Sequence, residues 1–122
     1  MPGPILIVDD SAVIRHALRS CIDQTRDWEV CGEAENGKVA VEKVQELHPD
    51  VVILDLQMPV MNGLEAARQI NRLAPDTTML MFTMYNSEQV SRIAPAAGIK
   101  EVLSKSDALA EHLLASLKQT SR

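Results

Sequence analysis

The sequence has few of the features that mark secreted or membrane-spanning chains. Its two cysteines, Cys21 and Cys31, fit no zinc-binding or redox spacing and indicate a reducing compartment. No apolar run approaches the ~20 residues that a bilayer span needs. The opening Met-Pro-Gly-Pro carries neither a positive flank nor a signal-peptide core. We therefore expect a cytoplasmic protein with no membrane partner.

Positive charge is also scarce. Lys and Arg together number 12 against 17 Asp and Glu, which gives a net charge of −5. Binding to nucleic acid through its phosphates requires clustered basic side chains. We expect no direct nucleic-acid contact by this segment, so any DNA binding would need another domain.

The chain is long and apolar enough for one globular domain. It has 122 residues, of which 46% are apolar, and a folded chain of this size buries roughly two-thirds of the surface it exposes when unfolded. We expect one domain over residues 1–122, in which the polar stretch 118–122 is a tail or the start of a linker.

Apolar residues are concentrated in short continuous runs, which are typical of strands buried on both faces. The predicted strands are residues 5–8, 28–34, 51–54, 79–82 and 99–104. Amphipathic segments separate them and predict helices. The predicted helices are residues 11–24, 38–47, 64–73, 87–97 and 107–118. This alternation predicts a doubly wound α/β domain, because parallel neighbours need a crossover that a helix supplies.

Three residues bear on how these helices begin and end. Asn62-Gly63 alone would suit a hairpin turn, but an amphipathic segment follows, so we interpret Asn62 as a helix start. Gly63 is interpreted as allowing a backbone conformation that is less accessible to other residues. Pro95 deletes a backbone hydrogen bond, so the fourth helix should be short or bent near its end.

Polar side chains stand where the predicted strands end, and ligands of open α/β sheets bind outside those carboxyl ends. They are Asp9, Asp10, Asp55, Thr83 and Lys105. One polar residue at a strand end needs no functional explanation, because chains turn and are solvated there. Three neighbouring carboxylates are unfavourable unless a cation or a proton relieves them. Clustered carboxylates with a backbone carbonyl favour Mg²⁺, which is usually also bound to phosphate oxygens.

These residues resemble the receiver (CheY-like) domain of two-component response regulators, over essentially the whole chain. The resemblance rests on Asp9-Asp10-Ser11 after the first strand, Asp55 to Gly63 after the third, and Thr83 and Lys105 after the last two. It implies a flavodoxin-like (βα)5 domain with a five-stranded parallel sheet in the order 2-1-3-4-5. It also implies a phosphorylation-controlled signalling switch rather than an enzyme.

The resemblance assigns roles to the residues that match. Asp55 would accept a phosphoryl group from a phosphohistidine of a sensor histidine kinase, and Thr83 and Lys105 would contact the phosphoryl oxygens. Phosphorylation would then change the helix 4–strand 5–helix 5 surface. The implied partners are the kinase, an output DNA-binding domain on the same or another chain, and a second copy of the chain on phosphorylation.

The resemblance also implies a magnesium site. Asp10, Asp55 and the backbone carbonyl of Gln57 would hold Mg²⁺ directly, and Asp9 would do so through water.

The chain departs from the family pattern at three positions. Met84 stands where a small residue usually follows the Thr, and its bulk should slow access of water or donor and prolong the phosphoryl state. Val102 replaces an aromatic residue, and Ser106 replaces a proline. This variant resembles receivers attached to LuxR-type helix-turn-helix output domains.

Two other functions are weighed against the switch. Haloacid-dehalogenase-type phosphatases place a second carboxylate two residues after their nucleophilic Asp, but Gln57 occupies that position here. The third possible function is a phosphorylation-independent scaffold with the same fold. It is less attractive because the chain retains every acidic and phosphate-contacting position.

Overall fold

A computed structural model describes residues 2–84, 88–105 and 109–120, and in them strands alternate with helices. The strands are β1 (Gly3–Val8), β2 (Trp28–Ala34), β3 (Val51–Asp55), β4 (Thr78–Thr83) and β5 (Ile99–Ser104). The helices are α1 (Ala12–Asp23), α2 (Gly37–Leu47), α3 (Gly63–Leu73), α4 (Glu88–Ile93) and α5 (Leu109–Gln119).

The five strands form one parallel sheet in the order β2-β1-β3-β4-β5. This confirms the predicted doubly wound fold and its strand order. A helix follows each of the first four strands and carries the chain back to the start of the next one, as parallel strands require. The order places β1 and β3 side by side in the middle of the sheet, although 42 residues separate the end of one from the start of the other in the chain.

Hydrophobic cores on both faces of the sheet explain the continuous apolar runs. Leu6, Val8, Val52 and Leu54 pack on the face covered by α2 and α3. Their neighbours in sequence, Ile5, Ile7, Val51 and Ile53, pack on the opposite face with residues of α1 and α5. Successive side chains of a strand point to opposite faces, and here every one of them is at most 1% exposed. Central strands therefore lack the polar alternation of a half-exposed sheet.

Helix termini match the sequence signals. Asn62 caps α3, since its Oδ1 accepts a hydrogen bond from the backbone N–H of Glu65 at 2.9 Å, which confirms the predicted helix start. The fourth helix is short, as Pro95 predicts: α4 ends at Ile93, and a 3₁₀ turn covers Pro95–Ala97. The first residues predicted for helices four and five, Ser87 and Asp107, lie outside the described residues, and so does Ser106.

Cys21 and Cys31 pack against opposite faces of the sheet and form no disulfide. In the part of the chain that the structure describes, every helix is too short or too polar to cross a membrane.

Candidate functional site

Three carboxylates meet at the carboxyl ends of β1 and β3. The register pairs Val8 with Leu54, so the residues that follow, Asp9 and Asp55, lie side by side. Asp9 is completely buried, Asp55 is 5% exposed, and Asp10 faces solvent. One oxygen from each of the three carboxylates lies within 4.8 Å of the others. The acid cluster expected at this edge of the sheet is present.

The Lys105 ammonium reaches this cluster from the end of β5. Its Nζ lies 2.9 Å from Asp9 Oδ2 and 3.2 Å from Asp55 Oδ1. The side chain is 14% exposed, and its Nζ lies 4.9 Å from the centroid of the Phe82 ring. Lys105 thus bridges two buried carboxylates, but one ammonium cannot neutralise three acidic groups.

Thr83 stands beside Lys105 because β4 and β5 end together. Thr83 pairs with Ser104 in the register, and its carbonyl accepts a hydrogen bond from the backbone N–H of Lys105 at 2.9 Å. Both residues border a cleft of about 360 Å³. The cleft is lined by Asp9, Asp10, Ser11, Ile14, Asp55, Gln57, Thr83, Met84 and Lys105. All the residues predicted for the site therefore converge on one cleft.

A somewhat larger cleft, of about 410 Å³, lies where β2 begins and α5 ends and is lined in part by Trp28 and Leu117. It is at the amino ends of the strands, and among the described residues that line it only Asp27 is acidic. Chemistry rather than size therefore identifies the 360 Å³ cleft as the candidate site.

Burial makes the charged form of Asp55 unfavourable. Desolvation, followed by the negative charge of Asp9, raises the pKa of Asp55 above its usual value. The Lys105 ammonium and a hydrogen bond from the backbone of Gln57 act in the opposite direction but do not offset this. A bound cation would stabilise the ionised carboxylate.

The donor set fits a hard divalent cation. All three side chains offer carboxylate oxygens, which Mg²⁺ prefers over nitrogen and sulfur ligands. Exposed Asp10 and Gln57 leave the cleft open on one side, so a cation there can keep water ligands, as Mg²⁺ usually does.

The loop from Asp55 to α3 is held by backbone contacts. The N–H of Gly63 donates to the carbonyl of Leu56 at 2.8 Å, and the N–H of Gly37 donates to the carbonyl of Met61 at 3.2 Å. A Cβ at Gly63 would lie 2.1 Å from the carbonyl oxygen of Asp55. Gly63 does not have a positive φ, so close backbone approach rather than an unusual conformation explains the glycine.

Val60 in this loop has a conformation that no sequence pattern indicated. Its φ is +70°, which is unfavourable for a β-branched residue. The N–H of Met61 donates to the carbonyl of Pro59 at 2.7 Å and closes a three-residue turn around Val60. The side chain is 78% exposed, so packing contributes little to offset the strain.

We expect Val60→Gly to raise the free energy of unfolding by about 1 kcal/mol, because a left-handed backbone costs a residue with a Cβ roughly 1–2 kcal/mol. Urea denaturation measures the change. Val13→Gly is the matched control: Val13 is 77% exposed but lies in α1, where glycine should destabilise. A loss of stability in both variants would contradict the prediction.

Comparison with known proteins identifies the class of domain that this fold and cleft define. Residues 5–118 match the response regulator receiver domain family. The chain therefore belongs to the response regulator receiver domains.

Relatives within the family differ in what surrounds the domain. The chain is 43% identical over 101 residues to the transcriptional regulatory protein YdfI of Bacillus subtilis, covering 83% of this chain and 47% of YdfI. It is 39% identical to the chemotaxis protein CheY of Thermotoga maritima, covering 83% of each. It also matches a protein-glutamate methylesterase of Methanosarcina acetivorans, with 49% identity over 68% of this chain but only 24% of the enzyme. The similarity to the longer proteins is a similarity of one domain.

Solved structures agree with the fold and extend over nearly the whole chain. The response regulator domain of Thermotoga maritima CheB is 33% identical, with a TM-score of 0.89 and coverage of 98% of this chain and 96% of that one. A LuxR-family response regulator from Aurantimonas sp. SI85-9A1 is 29% identical, with a TM-score of 0.89 and coverage of 98% and 85%. LuxR-family members are thus among the structural relatives, in agreement with the resemblance drawn from the sequence.

Proposed function

We propose that the chain is a phosphorylation-controlled switch in which Asp55 accepts a phosphoryl group from a phosphohistidine of a sensor histidine kinase. The observation that carries this proposal is the Lys105 ammonium, 3.2 Å from Asp55 and 2.9 Å from Asp9 in a cleft bordered by Thr83. Phosphoryl transfer has a loose transition state, and its catalysis is mostly positioning and charge neutralisation. This cleft supplies both.

Each side chain then has a defined task. Asp55 supplies the attacking carboxylate oxygen, and the hydrogen bond from the backbone of Gln57 helps to keep that carboxylate ionised. Lys105 places a positive charge where the phosphoryl oxygens would lie, and the Thr83 hydroxyl would donate a hydrogen bond to one of them. Asp9 holds the Lys105 ammonium at 2.9 Å.

Magnesium belongs to the same proposal. Asp10, Asp55 and the carbonyl of Gln57 would hold Mg²⁺ directly and Asp9 through water, and the ion would neutralise charge on the phosphoryl oxygens. The chain's own contribution is to gather the three carboxylates within 4.8 Å of one another.

The output of the switch is proposed to be the surface formed by α4, β5 and α5. A phosphoryl group adds roughly two negative charges at Asp55. The groups that would respond are Thr83, the last residue of β4, and Lys105, the residue that follows β5. The similarity to YdfI, a transcriptional regulatory protein, and to LuxR-family structures supports a DNA-binding output domain on the same or another chain.

Pairing of two copies on phosphorylation and a cytoplasmic location complete the proposal. Residues 1–122 would form one receiver domain, with a linker starting within 118–122.

Incubation with Mg²⁺ and acetyl phosphate, followed by intact-mass measurement, tests the proposal. We expect a gain of one phosphoryl group that is absent in Asp55→Asn and absent when EDTA removes Mg²⁺. Asp50→Asn is the matched control, because Asp50 is exposed at the opposite end of β3 and its removal should leave phosphorylation unchanged. No gain with any of several donors would overturn the proposal in favour of a scaffold.

The phosphatase alternative predicts turnover of added phosphate esters, which release of inorganic phosphate measures. An exposed Gln57, not a carboxylate, follows Asp55 by two residues, and an amide cannot serve as the general acid and base that turnover requires. We expect negligible hydrolysis of added phosphate esters.

Met84 should prolong the phosphorylated state. Met84 lines the cleft and is 70% exposed, so it lies at the opening of the cleft and not in the protein core. We expect Met84→Ala to speed loss of the phosphoryl group about fivefold, which corresponds to about 1 kcal/mol in activation free energy. The decay of phosphorylated protein after donor removal measures it, and an unchanged rate would show that Met84 does not restrict access.

A further inference from the structure

An ion-pair network joins α1 to the end of β2 beside the acid cluster, and the proposed chemistry does not use it. Glu33 receives both arginines of α1: Arg15 Nε donates to its Oε1 at 2.9 Å, and Arg19 Nε donates to its Oε2 at 2.9 Å. Arg15 makes one contact that Arg19 does not. Its Nη1 donates to the backbone carbonyl oxygen of Asp9 at 2.7 Å.

That contact acts on the peptide group between Asp9 and Asp10. The N–H of Asp9 is held by the carbonyl of Ala34 at 3.0 Å, and the carbonyl of Asp9 is held by Arg15. The N–H belongs to the peptide before Asp9 and the carbonyl to the Asp9–Asp10 peptide, so both peptides that flank Asp9 are held and rotation of its backbone is restricted. The direction of both carboxylates depends on the Asp9–Asp10 peptide, because each side chain leaves the main chain next to it.

A guanidinium suits this task because it is planar and donates in several fixed directions at once. Glu33 fixes the orientation of the plane through Nε, which leaves Nη1 directed at Asp9. Arg15 is 18% exposed and Arg19 is 39% exposed, so the more buried of the two arginines is the one that reaches the site.

We infer that Arg15 is a positioning residue for the acid cluster: by holding the Asp9 carbonyl, it keeps the carboxylates of Asp9 and Asp10 at the separation that one divalent cation can bridge. The inference rests on the proposed Mg²⁺ site. It makes Glu33 the residue that orients Arg15 and gives α1 a part in cation binding without any contact between α1 arginines and the ion.

Electrostatics alone predicts the opposite effect, which makes the inference testable. A guanidinium near a cation site repels the cation, so Arg15→Gln would strengthen Mg²⁺ binding if Arg15 acted only through its charge. If Arg15 acts by position, the same substitution weakens binding. Arg19→Gln is the matched control, since it removes the same charge and the same kind of contact with Glu33 but none with Asp9.

Mg²⁺ affinity is measured by calorimetric titration of the full chain at fixed pH and ionic strength, with urea unfolding in EDTA as the readout of stability. We expect Arg15→Gln to raise the dissociation constant about tenfold, the lower end of the effect of orienting residues on metal sites. Arg19→Gln should stay within about twofold of the wild type, although both variants lose comparable stability. Arg15→Lys should not restore affinity, because an ammonium cannot contact Glu33 and Asp9 with the same geometry.

Three outcomes would overturn the inference: Arg15→Gln binding Mg²⁺ as tightly as the wild type or more tightly, equal weakening in both glutamine variants, or no Mg²⁺ binding by the wild type. The acetyl phosphate assay separates this from the proposed function. Selective weakening in Arg15→Gln with no phosphorylation of the wild type supports the inference and refutes the switch. Normal phosphorylation of the wild type, without selective weakening of Mg²⁺ binding in Arg15→Gln, supports the switch and refutes the inference about Arg15.

Discussion

Gly63→Ala is expected to lower the free energy of unfolding by about 3 kcal/mol or more. The added Cβ would lie 2.1 Å from the carbonyl oxygen of Asp55 and 3.0 Å from the Cα of Leu56. Both are backbone atoms, so no side-chain rotation can relieve the clash, and the start of α3 or the end of β3 must move. Overpacking that moves the backbone is among the few causes of such large losses. Urea unfolding measures the change.

Gly32→Ala is the matched control for this prediction. A Cβ there would meet Leu47 Cδ1 at 2.9 Å, which is the far end of a flexible side chain, and we expect a change below about 1 kcal/mol. Movement of β3 would also displace the Asp55 carboxylate, so the folded fraction of Gly63→Ala should be phosphorylated more slowly than the wild type. Equal losses of stability in the two alanine variants would show that the backbone contact is not the cause.

Much of the fold could be predicted because burial determines the sequence pattern of the central strands. Residues of β1 and β3 pack on both faces of the sheet, so they appear as unbroken apolar runs. Turn residues flank the two edge strands, so the predicted bounds agree with those of β2 and β5, Trp28–Ala34 and Ile99–Ser104. The strand order came from family resemblance and not from the pattern, since periodicity does not say which strands are neighbours.

The acid cluster could be predicted from strand ends because parallel strands place their carboxyl ends at one edge. Asp9 and Asp55 are adjacent as a result of the register between β1 and β3. Two contacts could not be predicted from the periodicity of the sequence, because they depend on the directions of individual side chains. They are the bridge that Lys105 makes between Asp9 and Asp55 and the hydrogen bond from Arg15 to Asp9. The helical spacing of residues 11–24 puts Arg15 off the apolar face, and it gives no sign that this side chain reaches the backbone of Asp9. The positive φ of Val60 likewise had no signal, because valine rarely adopts it.

Lys105→Met is expected to lower the free energy of unfolding by about 3 kcal/mol at neutral pH in EDTA. Methionine keeps much of the length of the side chain, but it removes the ammonium, which lies 4.9 Å from the centroid of the Phe82 ring and between Asp9 and Asp55. These two acids are 0% and 5% exposed. Removing one partner from a buried ion pair leaves an uncompensated charge, and losses of about 3–5 kcal/mol are typical. Lys100→Met is the control. Lys100 is exposed on β5 and its Nζ contacts the Thr120 hydroxyl rather than an acid, so we expect a change within about 0.5 kcal/mol.

The loss in Lys105→Met should depend on pH and on Mg²⁺ in directions that follow from the same charges. The pKa of Asp55 is raised even with the ammonium present, and removing the ammonium raises it further. A carboxyl group whose pKa is higher in the folded than in the unfolded state stabilises the fold as pH falls, because the folded state then binds the proton more tightly. The deficit against the wild type should therefore shrink as the pH is lowered from 7 towards that raised pKa.

Saturating Mg²⁺ should restore stability to Lys105→Met by a larger amount than it adds to the wild type. A ligand at about 100 times its dissociation constant contributes about 2.7 kcal/mol, and the variant should bind Mg²⁺ more tightly because no ammonium competes for the Asp9 and Asp55 oxygens. Unfolding curves at several Mg²⁺ concentrations measure both effects. If Mg²⁺ stabilised the two proteins equally, Lys105 and the cation would not share those carboxylates, and the magnesium part of the proposed function would have to be placed elsewhere in the cleft.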